Sequence, residues 1–524
     1  MSGKIRNSCL VILMTVLTGA SSMAQAQDKK PDAAKEQPPA ATDNNKETPA
    51  PKETSSVTQH TLGLNGQTLH YTATAGNLLI RDGDNKPNGS MFYVAYTLDG
   101  AQAKTRPVTF LYNGGPGSST LWLHMGSFGP MRIETDSPKA TAPAPYHLVP
   151  NQYSLLDKTD LVFIDAMGTG FSKPVGKGTL KDFLGVDEDV TAFNHFIARY
   201  ITVNQRWNCP KFLIGESYGT TRSAALSYSL QKSGISLNGV VLVSSILNYN
   251  DHSPGLDNDY IYNLPSYAAI AWYHNKLANK PSDMKSFIEE VRTYARGPYA
   301  EALSQGQNLS ASEVDQVAQK VSQMTGLSVK YLKDANLRVS ASEFRKELMR
   351  DDRRTLGRYD ARFEGIDMNS IGATPSSDPS DTGITGAFVA AFHNYLASDL
   401  KFTTDDVYKA TAYGPNFKWD WKHTAPDGQG YRGQQRAPDV ALDLGAAMRE
   451  NPHLKLFSAN GYFDLATPFF ETESDISHMQ LEPSIRQNIH FGYYPSGHMI
   501  YLNVDALKQL RSDLDQFYSS ALTQ

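Results

Sequence analysis

The sequence predicts an α/β protein: a mostly parallel central sheet with helices on both faces, and a mainly helical cap inserted between two of its strands. Three observations carry this reading. Six short runs, VTFLY (108–112), DLVFID (160–165), KFLIG (211–215), VVLVS (240–244), LKLFSAN (454–460) and IHFGYY (489–494), are apolar, β-branched or aromatic and bounded by polar or turn residues. Continuous apolar runs of that length suit strands buried on both faces. Between the runs the apolar spacing becomes helical, and from about 250 to 440 the strand-like runs stop while amphipathic helices continue. Alternating strands and helices imply a parallel sheet covered by helices.

The first 26 residues are of another kind. MSGKIRN is short and basic, CLVILMTVLTGA is an apolar run too short to span a bilayer comfortably, and Ala24-Gln25-Ala26 is a small-x-small cleavage site. This is the pattern of a secretory signal peptide, and no cysteine follows the apolar run where a lipid would attach. Cys9 would leave with the leader, so Cys209 remains alone and no intramolecular disulfide can form. Export without disulfides fits a bacterial periplasm or secretion, with no stable membrane anchor after cleavage. The chain carries a net charge of −5, and the leader removes two cations and no acid. A mature chain near −7 gives no reason to expect a nucleic-acid partner.

Residues 27–57 are Pro, Ala, Lys and Glu with almost no large apolar residue; such a stretch cannot bury enough surface to offset its ordering entropy and reads as a disordered tether. From Thr61, TLGLNGQTLHYTATAG and SMFYVAYTLDG are β-like, with turn residues in RDGDNKPNG between them. Residues 187–200 place Val190, Phe193, Phe196 and Ile197 on one helical face, and Leu507, Leu510, Leu514 and Phe517 do the same in the last helix. In the cap region, Ser310 and Ser340 each stand three residues before a glutamate, Glu313 and Glu343, the pattern of a capping box. In the first of these helices Val314, Val317, Val321 and Met324 share a face, and Gly326 ends it. The catalytic domain is therefore expected over 58–249 and 441–524, and the cap over 250–440.

The chemistry begins at KFLIGESYG (211–219), where Ser217 stands between Gly215 and Gly219 directly after an apolar run. A strand turning sharply into a helix strains the serine, and glycines two residues to either side let neighbouring segments pass close by. A serine hydroxyl needs a histidine to take its proton and a carboxylate to orient that histidine. Asp464, in NGYFDLATP after LKLFSAN, and His498, in YPSGHMIY after IHFGYY, follow the serine in the order of this architecture. Of the thirteen histidines, His498 alone is late in the chain, after a strand and flanked by Gly. An oxyanion needs two donors: the amide of Tyr218, after the serine, and that of Gly115, in the Gly-rich loop Asn113-Gly114-Gly115-Pro116-Gly117 that follows VTFLY.

Taken in order, NGGPGSS, NQYSLLDKTDLVFIDAMGTGFSKP (151–174), GESYG, NGYFD and GHM closely resemble the serine carboxypeptidases, which have the α/β-hydrolase fold with a helical cap. The resemblance runs from about residue 60 to the C-terminus, with the cap loosely matched. It implies Ser217, Asp464 and His498 as the triad and Gly115 and Tyr218 as the oxyanion hole. It further implies that Asn113 and Glu216 hydrogen-bond the free C-terminal carboxylate of a peptide. A carboxyl binds a carboxylate only when one of the two is protonated, so such a pair favours acidic pH. The plainer reading of Glu216 is a solvated acid at a helix start, favoured by the dipole.

Several positions depart from the family's pattern: Ser118 stands in place of a disulfide cysteine, Leu111 in place of a tryptophan, Ser127 where a second glutamate often joins the carboxylate network, and Met499-Ile500-Tyr501 in place of Met-Val-Pro. A proline iminopeptidase-like aminopeptidase, an esterase or an acyltransferase could share the same fold and triad, and a catalytically silent binding protein is the reading from another class. No His-Glu-x-x-His, no cysteine pair and no correctly spaced phosphate loop is present, so neither metal nor cofactor is implied. Side-chain preference and oligomeric state are not legible.

Overall fold

The computed structural model describes residues 52–415, 417–426 and 433–523. The expected signal peptide and residues 27–51 of the expected tether lie outside them. The main sheet contains β1 (Ser55–Leu64), β2 (Gln67–Arg81), β3 (Pro87–Leu98), β4 (Val108–Tyr112), β5 (Asp160–Ile164), β6 (Lys211–Ser217), β7 (Gly239–Ser245), β8 (Lys455–Gly461) and β9 (Ile489–Tyr494). Their spatial order is β1-β2-β3-β5-β4-β6-β7-β8-β9, with the short strand Lys173–Pro174 paired to β3. The first three strands form an antiparallel meander that joins β5 antiparallel, and all pairings from β5 to β9 are parallel. Each of the six apolar runs is a strand, within one or two residues of its expected bounds.

β1 starts at Ser55, inside the span expected to be a tether. Its backbone pairs with β2 from Ser55 opposite Gly76 onward, a pairing that needs no apolar side chain and therefore leaves little trace in composition. Just before it, Glu53 accepts a hydrogen bond from the Leu79 amide and pairs with Arg199. Asn65 and Gly66, both at positive φ (52° and 77°), turn β1 into β2.

The longer helices are α1 (Val186–Val203), α2 (Tyr218–Lys232), α3 (Asn258–Tyr273), α4 (Met284–Tyr294), α5 (Ala311–Thr325), α6 (Ala341–Glu347), α7 (Thr385–Ser398), α8 (Ala441–Glu450), α9 (Phe469–Ser477) and α10 (Val504–Leu522). Alternate residues of the parallel strands enter two different cores, the reason the runs are apolar throughout. Leu213, Val240 and Leu242 pack with Phe193, Phe196 and Ile197 of α1, Leu226 of α2 and Leu444 of α8. Phe212, Ile214 and Val241 pack on the opposite side with Leu507, Leu510, Leu514 and Phe517 of α10.

The insertion divides between two cores. Helices α3 to α6 build their own, around Ile270, Ile288, Met324 and Phe344, and it extends to Tyr462, Phe463 and Phe469 beside Asp464. Helix α7 instead places Phe388 and Phe392 in the core on the α10 side of the sheet. Both capping boxes form: Ser310 and Ser340 accept from the amides of Glu313 and Glu343, whose carboxylates accept from the serine amides. Gly326 ends α5 in the left-handed conformation at φ 73°.

Candidate active site

Strand β6 runs into α2 with Ser217 as the junction, at φ 60° and ψ −131°. A non-glycine residue in that region is strained, and it persists here because its surroundings leave no alternative. A Cβ on Gly215 would stand 2.1 Å from the Gly219 carbonyl oxygen, and one on Gly219 would stand 2.9 Å from that of Tyr112. These close approaches are what the flanking glycines permit.

The loop after β4 lies against this junction. A Cβ on Gly114 would fall 2.4 Å from the amide nitrogens of both Tyr218 and Gly219, so the Gly-rich loop and the start of α2 are in backbone contact. Gly115 adopts φ 105°. As the first residue of α2, Tyr218 has an amide with no partner inside the helix. Arg222, one turn further on and fully buried, fixes the loop from beneath. Its Nη1 donates to the Asn113 carbonyl at 2.7 Å, its Nε donates to Asp189 Oδ2 at 2.7 Å, and its guanidinium carbon lies 4.2 Å from the Phe193 ring centroid.

His498 is held on three sides. Its Nδ1 lies 2.7 Å from Asp464 Oδ2, its amide donates to the Tyr359 carbonyl at 2.5 Å, and its carbonyl accepts from Ser244 Oγ at 2.6 Å. Asp464 is fully buried and oriented by the amides of Ala466 and Thr467, at 2.7 and 3.1 Å on Oδ1, and by Thr467 Oγ1 at 2.8 Å on Oδ2. Burial disfavours the imidazolium, but the Asp464 carboxylate, helped by Glu216, outweighs it and raises the His498 pKa above its usual value. Ser217 and His498 line the same cavity of about 770 Å³. The Ser217 hydroxyl makes no hydrogen bond to the imidazole in this state; such contacts commonly tighten only when substrate is bound.

Glu216 points into this cavity wall and is only 3% exposed, so the solvated-acid reading is set aside. Asn113 Nδ2 donates to Glu216 Oε1 at 2.7 Å, and Asn113 Oδ1 accepts from the Leu123 amide at 2.8 Å. Burial pushes the Glu216 carboxyl up to about 7, with Asp464 adding to the rise and His498, Tyr501 and Asn113 opposing it. Thus all seven residues singled out in the sequence, Asn113, Gly115, Glu216, Ser217, Tyr218, Asp464 and His498, meet at one place, and six of them border the cavity; Asp464 stands behind His498.

Other residues of this region were not singled out. Thr467 Oγ1 touches both Asp464 and His498, at 2.8 and 3.1 Å, and its only sequence signal was proximity to Asp464. Trp122, Tyr413 and Trp421 add aromatic surface to the cavity, and Arg358 also lines it; loop residues far apart in sequence carry no periodic signal. Tyr501 was visible only as a departure from a family pattern. Ser127 is buried with its hydroxyl donating to the Leu123 carbonyl at 2.5 Å.

The model of the serine carboxypeptidase family matches residues 66–484, ending before His498, which the fold brings beside Asp464. Pheromone-processing carboxypeptidase KEX1 of Saccharomyces cerevisiae is 32% identical over 156 residues, 28% of this chain and 20% of that protein. Serine carboxypeptidase-like 33 of Arabidopsis thaliana is 25% identical over 207 residues, 38% of this chain and 41% of that protein. The aligned stretch thus spans well under half of either relative. The crystal structure of the Saccharomyces cerevisiae prohormone-processing carboxypeptidase KEX1(delta)p matches 86% of this chain and 91% of its own at 14% identity, with a TM-score of 0.48. With the family model covering well over half of its length, the chain belongs to the serine carboxypeptidase family.

Proposed function

We propose that this protein is an exported serine carboxypeptidase that removes C-terminal residues from peptides through an acyl-enzyme, with activity favoured at acidic pH. The observation that carries the reading is the buried Asn113–Glu216 pair, hydrogen-bonded at 2.7 Å and bordering the cavity that also holds Ser217 and His498. A carboxyl that keeps its proton to about pH 7 can donate to a carboxylate, whereas an ionised one would repel it.

In this mechanism Ser217 Oγ attacks the carbonyl of the last peptide bond while His498 Nε2 takes its proton. Asp464 stabilises the imidazolium through Nδ1. The oxyanion forms against the amides of Gly115 and Tyr218, each donor contributing about 3 kcal/mol by mutational benchmarks. His498 then protonates the leaving amine, the C–N bond breaks, and the terminal residue leaves with its carboxylate still at Asn113 and Glu216. Water, deprotonated by His498, cleaves the ester and restores Ser217. Export rests on the leader pattern of residues 1–26; no helix among the described residues is long and apolar enough to cross a membrane.

The test is a set of peptides with free and amidated C-termini, incubated at pH 5 and followed by mass spectrometry. Sequential loss from the free C-terminus, with amidated peptides resistant, is expected. Shortening from the N-terminus or equal cleavage of both sets would favour an aminopeptidase or esterase. Labelling by a fluorophosphonate, abolished in Ser217→Ala, distinguishes an enzyme from a silent binding protein.

A further inference from the structure

One segment of the insertion reaches the triad through its backbone. The Leu465 amide, next to Asp464, donates to the Arg358 carbonyl at 3.0 Å, and the His498 amide donates to the Tyr359 carbonyl at 2.5 Å. Within the segment Arg362 and Asp360 form a buried pair, with Arg362 Nη2 at 2.6 Å from Asp360 Oδ2. The segment is therefore held whatever side chain stands at 358. The Tyr359 ring centroid lies 5.2 Å from that of His498, and the Arg358 guanidinium carbon lies 5.4 Å from the Tyr359 centroid. A cation thus stands no farther from the catalytic imidazole than those two distances together.

Besides Glu216 and His498, the charged residues lining the cavity among the described residues are Arg345, Arg358, Asp378 and Asp381. Arg345 is committed within the protein: it donates to the Leu356 and Ser377 carbonyls at 2.9 and 3.3 Å and lies 3.8 Å from Asp378. Asp378 Oδ1 in turn accepts from the Arg358 amide at 3.0 Å and from the Ser380 amide and hydroxyl at 3.0 and 2.6 Å. Asp381 accepts from Thr385 Oγ1 at 3.1 Å. Arg358 differs from Arg345: it is exposed, and its guanidinium has no hydrogen bond and no ion pair among the described residues. An arginine fork without a protein partner, lining a cavity beside a nucleophile, has the chemistry to receive a carboxylate.

We propose that Arg358 is a specificity-determining residue: its guanidinium receives the side-chain carboxylate of an Asp or Glu flanking the scissile bond, so that the enzyme prefers acidic peptides. This rests on the function proposed above, in which Asn113 and Glu216 already take the terminal carboxylate and leave Arg358 to a side chain. The cavity wall excludes part of the surrounding water, so the attraction is screened less than on an open surface. Arg358 is anchored by its backbone amide and carbonyl, which any residue supplies, so substitutions at 358 report on the guanidinium and leave the segment in place.

The experiment compares two series of peptides with free C-termini, one carrying Glu, Gln or Lys as the last residue and the other carrying them as the residue before it. At about pH 6 a side-chain carboxylate is ionised while Glu216 still holds its proton. kcat/KM is measured for the full-length protein, Arg358→Gln and Arg358→Glu, with product masses locating the cut. In the unsubstituted protein Glu should exceed Gln about tenfold in at least one series, and the ratio should shrink in about 0.5 M salt. Arg358→Gln should bring the ratio close to one, and Arg358→Glu should favour Lys. An unsubstituted protein that cuts the last bond with no acid preference overturns this proposal alone, as does a preference for Lys, which would assign selectivity to Asp381. Equal losses on the Glu, Gln and Lys peptides in Arg358→Gln also overturn it, by giving the guanidinium to the terminal carboxylate or to packing. Product masses that place the cut elsewhere overturn the carboxypeptidase reading, and this proposal with it.

Discussion

Asn113 donates its Nδ2 hydrogen to Glu216 Oε1 at 2.7 Å, joining the loop after β4 to the residue before the nucleophile across 103 positions of sequence. The pairing makes Glu216→Gln the most informative substitution. Wild-type kcat/KM on free-C-terminal peptides should fall as pH rises through about 7, where Glu216 ionises. A glutamine cannot ionise, so the variant should lose that limb and outperform wild type at pH 8. Steady-state profiles from pH 4 to 9 check this, and parallel profiles would count against it.

The carboxylate on His498 should dominate turnover. Asp464→Asn leaves the shape of the site but presents an amide to Nδ1, favouring the wrong tautomer and lowering kcat about 10⁴-fold. Thr467→Val removes one of the four donors to Asp464 and should cost far less, about tenfold. Burst kinetics with an activated ester measure the acylation step in both.

Gly114→Ala would put a methyl 2.4 Å from two backbone nitrogens at the start of α2. Neither neighbour is a side chain that can swing aside. We expect a loss of about 1–3 kcal/mol from overpacking and at least about a hundredfold in kcat as the oxyanion donors separate. A folded variant with wild-type kcat would contradict the backbone contact.

Arg222 and Asp189 form a buried pair under the nucleophile, 0% and 3% exposed at their side chains. Arg222→Met strands the Asp189 charge and frees the Asn113 carbonyl, and should destabilise the protein by about 3–5 kcal/mol. Adding Asp189→Leu should restore a good part of the stability without restoring activity, because Asn113 remains unheld. Urea denaturation and peptidase assays on both variants separate the two effects.

His423 links Asp187 and Asp443 through its two ring nitrogens, at 2.6 and 2.9 Å. Burial works against its cation, but the two carboxylates outweigh it and raise the pKa from 6.5 to about 9. A raised histidine pKa stabilises the fold fully below the unfolded value and is lost as pH climbs through the folded one. Stability should therefore drop by about 2 kcal/mol between pH 6.5 and 9, and His423→Gln should flatten that slope. Denaturant midpoints across this range provide the measurement.

Much of this was legible beforehand for a physical reason. A strand buried on both faces gains from apolar residues on both, so VTFLY declared itself; IHFGYY read as a strand from its aromatic and β-branched content although it lies at the sheet edge and is half-exposed. The elbow glycines also declared themselves, since no other residue survives 2.1 Å from a carbonyl oxygen. The start of β1 did not, because backbone pairing from Ser55 asks little of the side chains.

The sequence by itself determined the layered α/β architecture, the strained serine, and the order of acid and histidine, because each is written in local pattern: period, glycine spacing, and position after a strand. Only the tertiary structure decided what surrounds Glu216. Its burial and its bond to Asn113 arise where two distant segments pack together, and burial is a property of the packed chain. The protonation of that carboxyl, and with it the preference proposed for one end of a peptide, follows from desolvation that no local string of residues encodes.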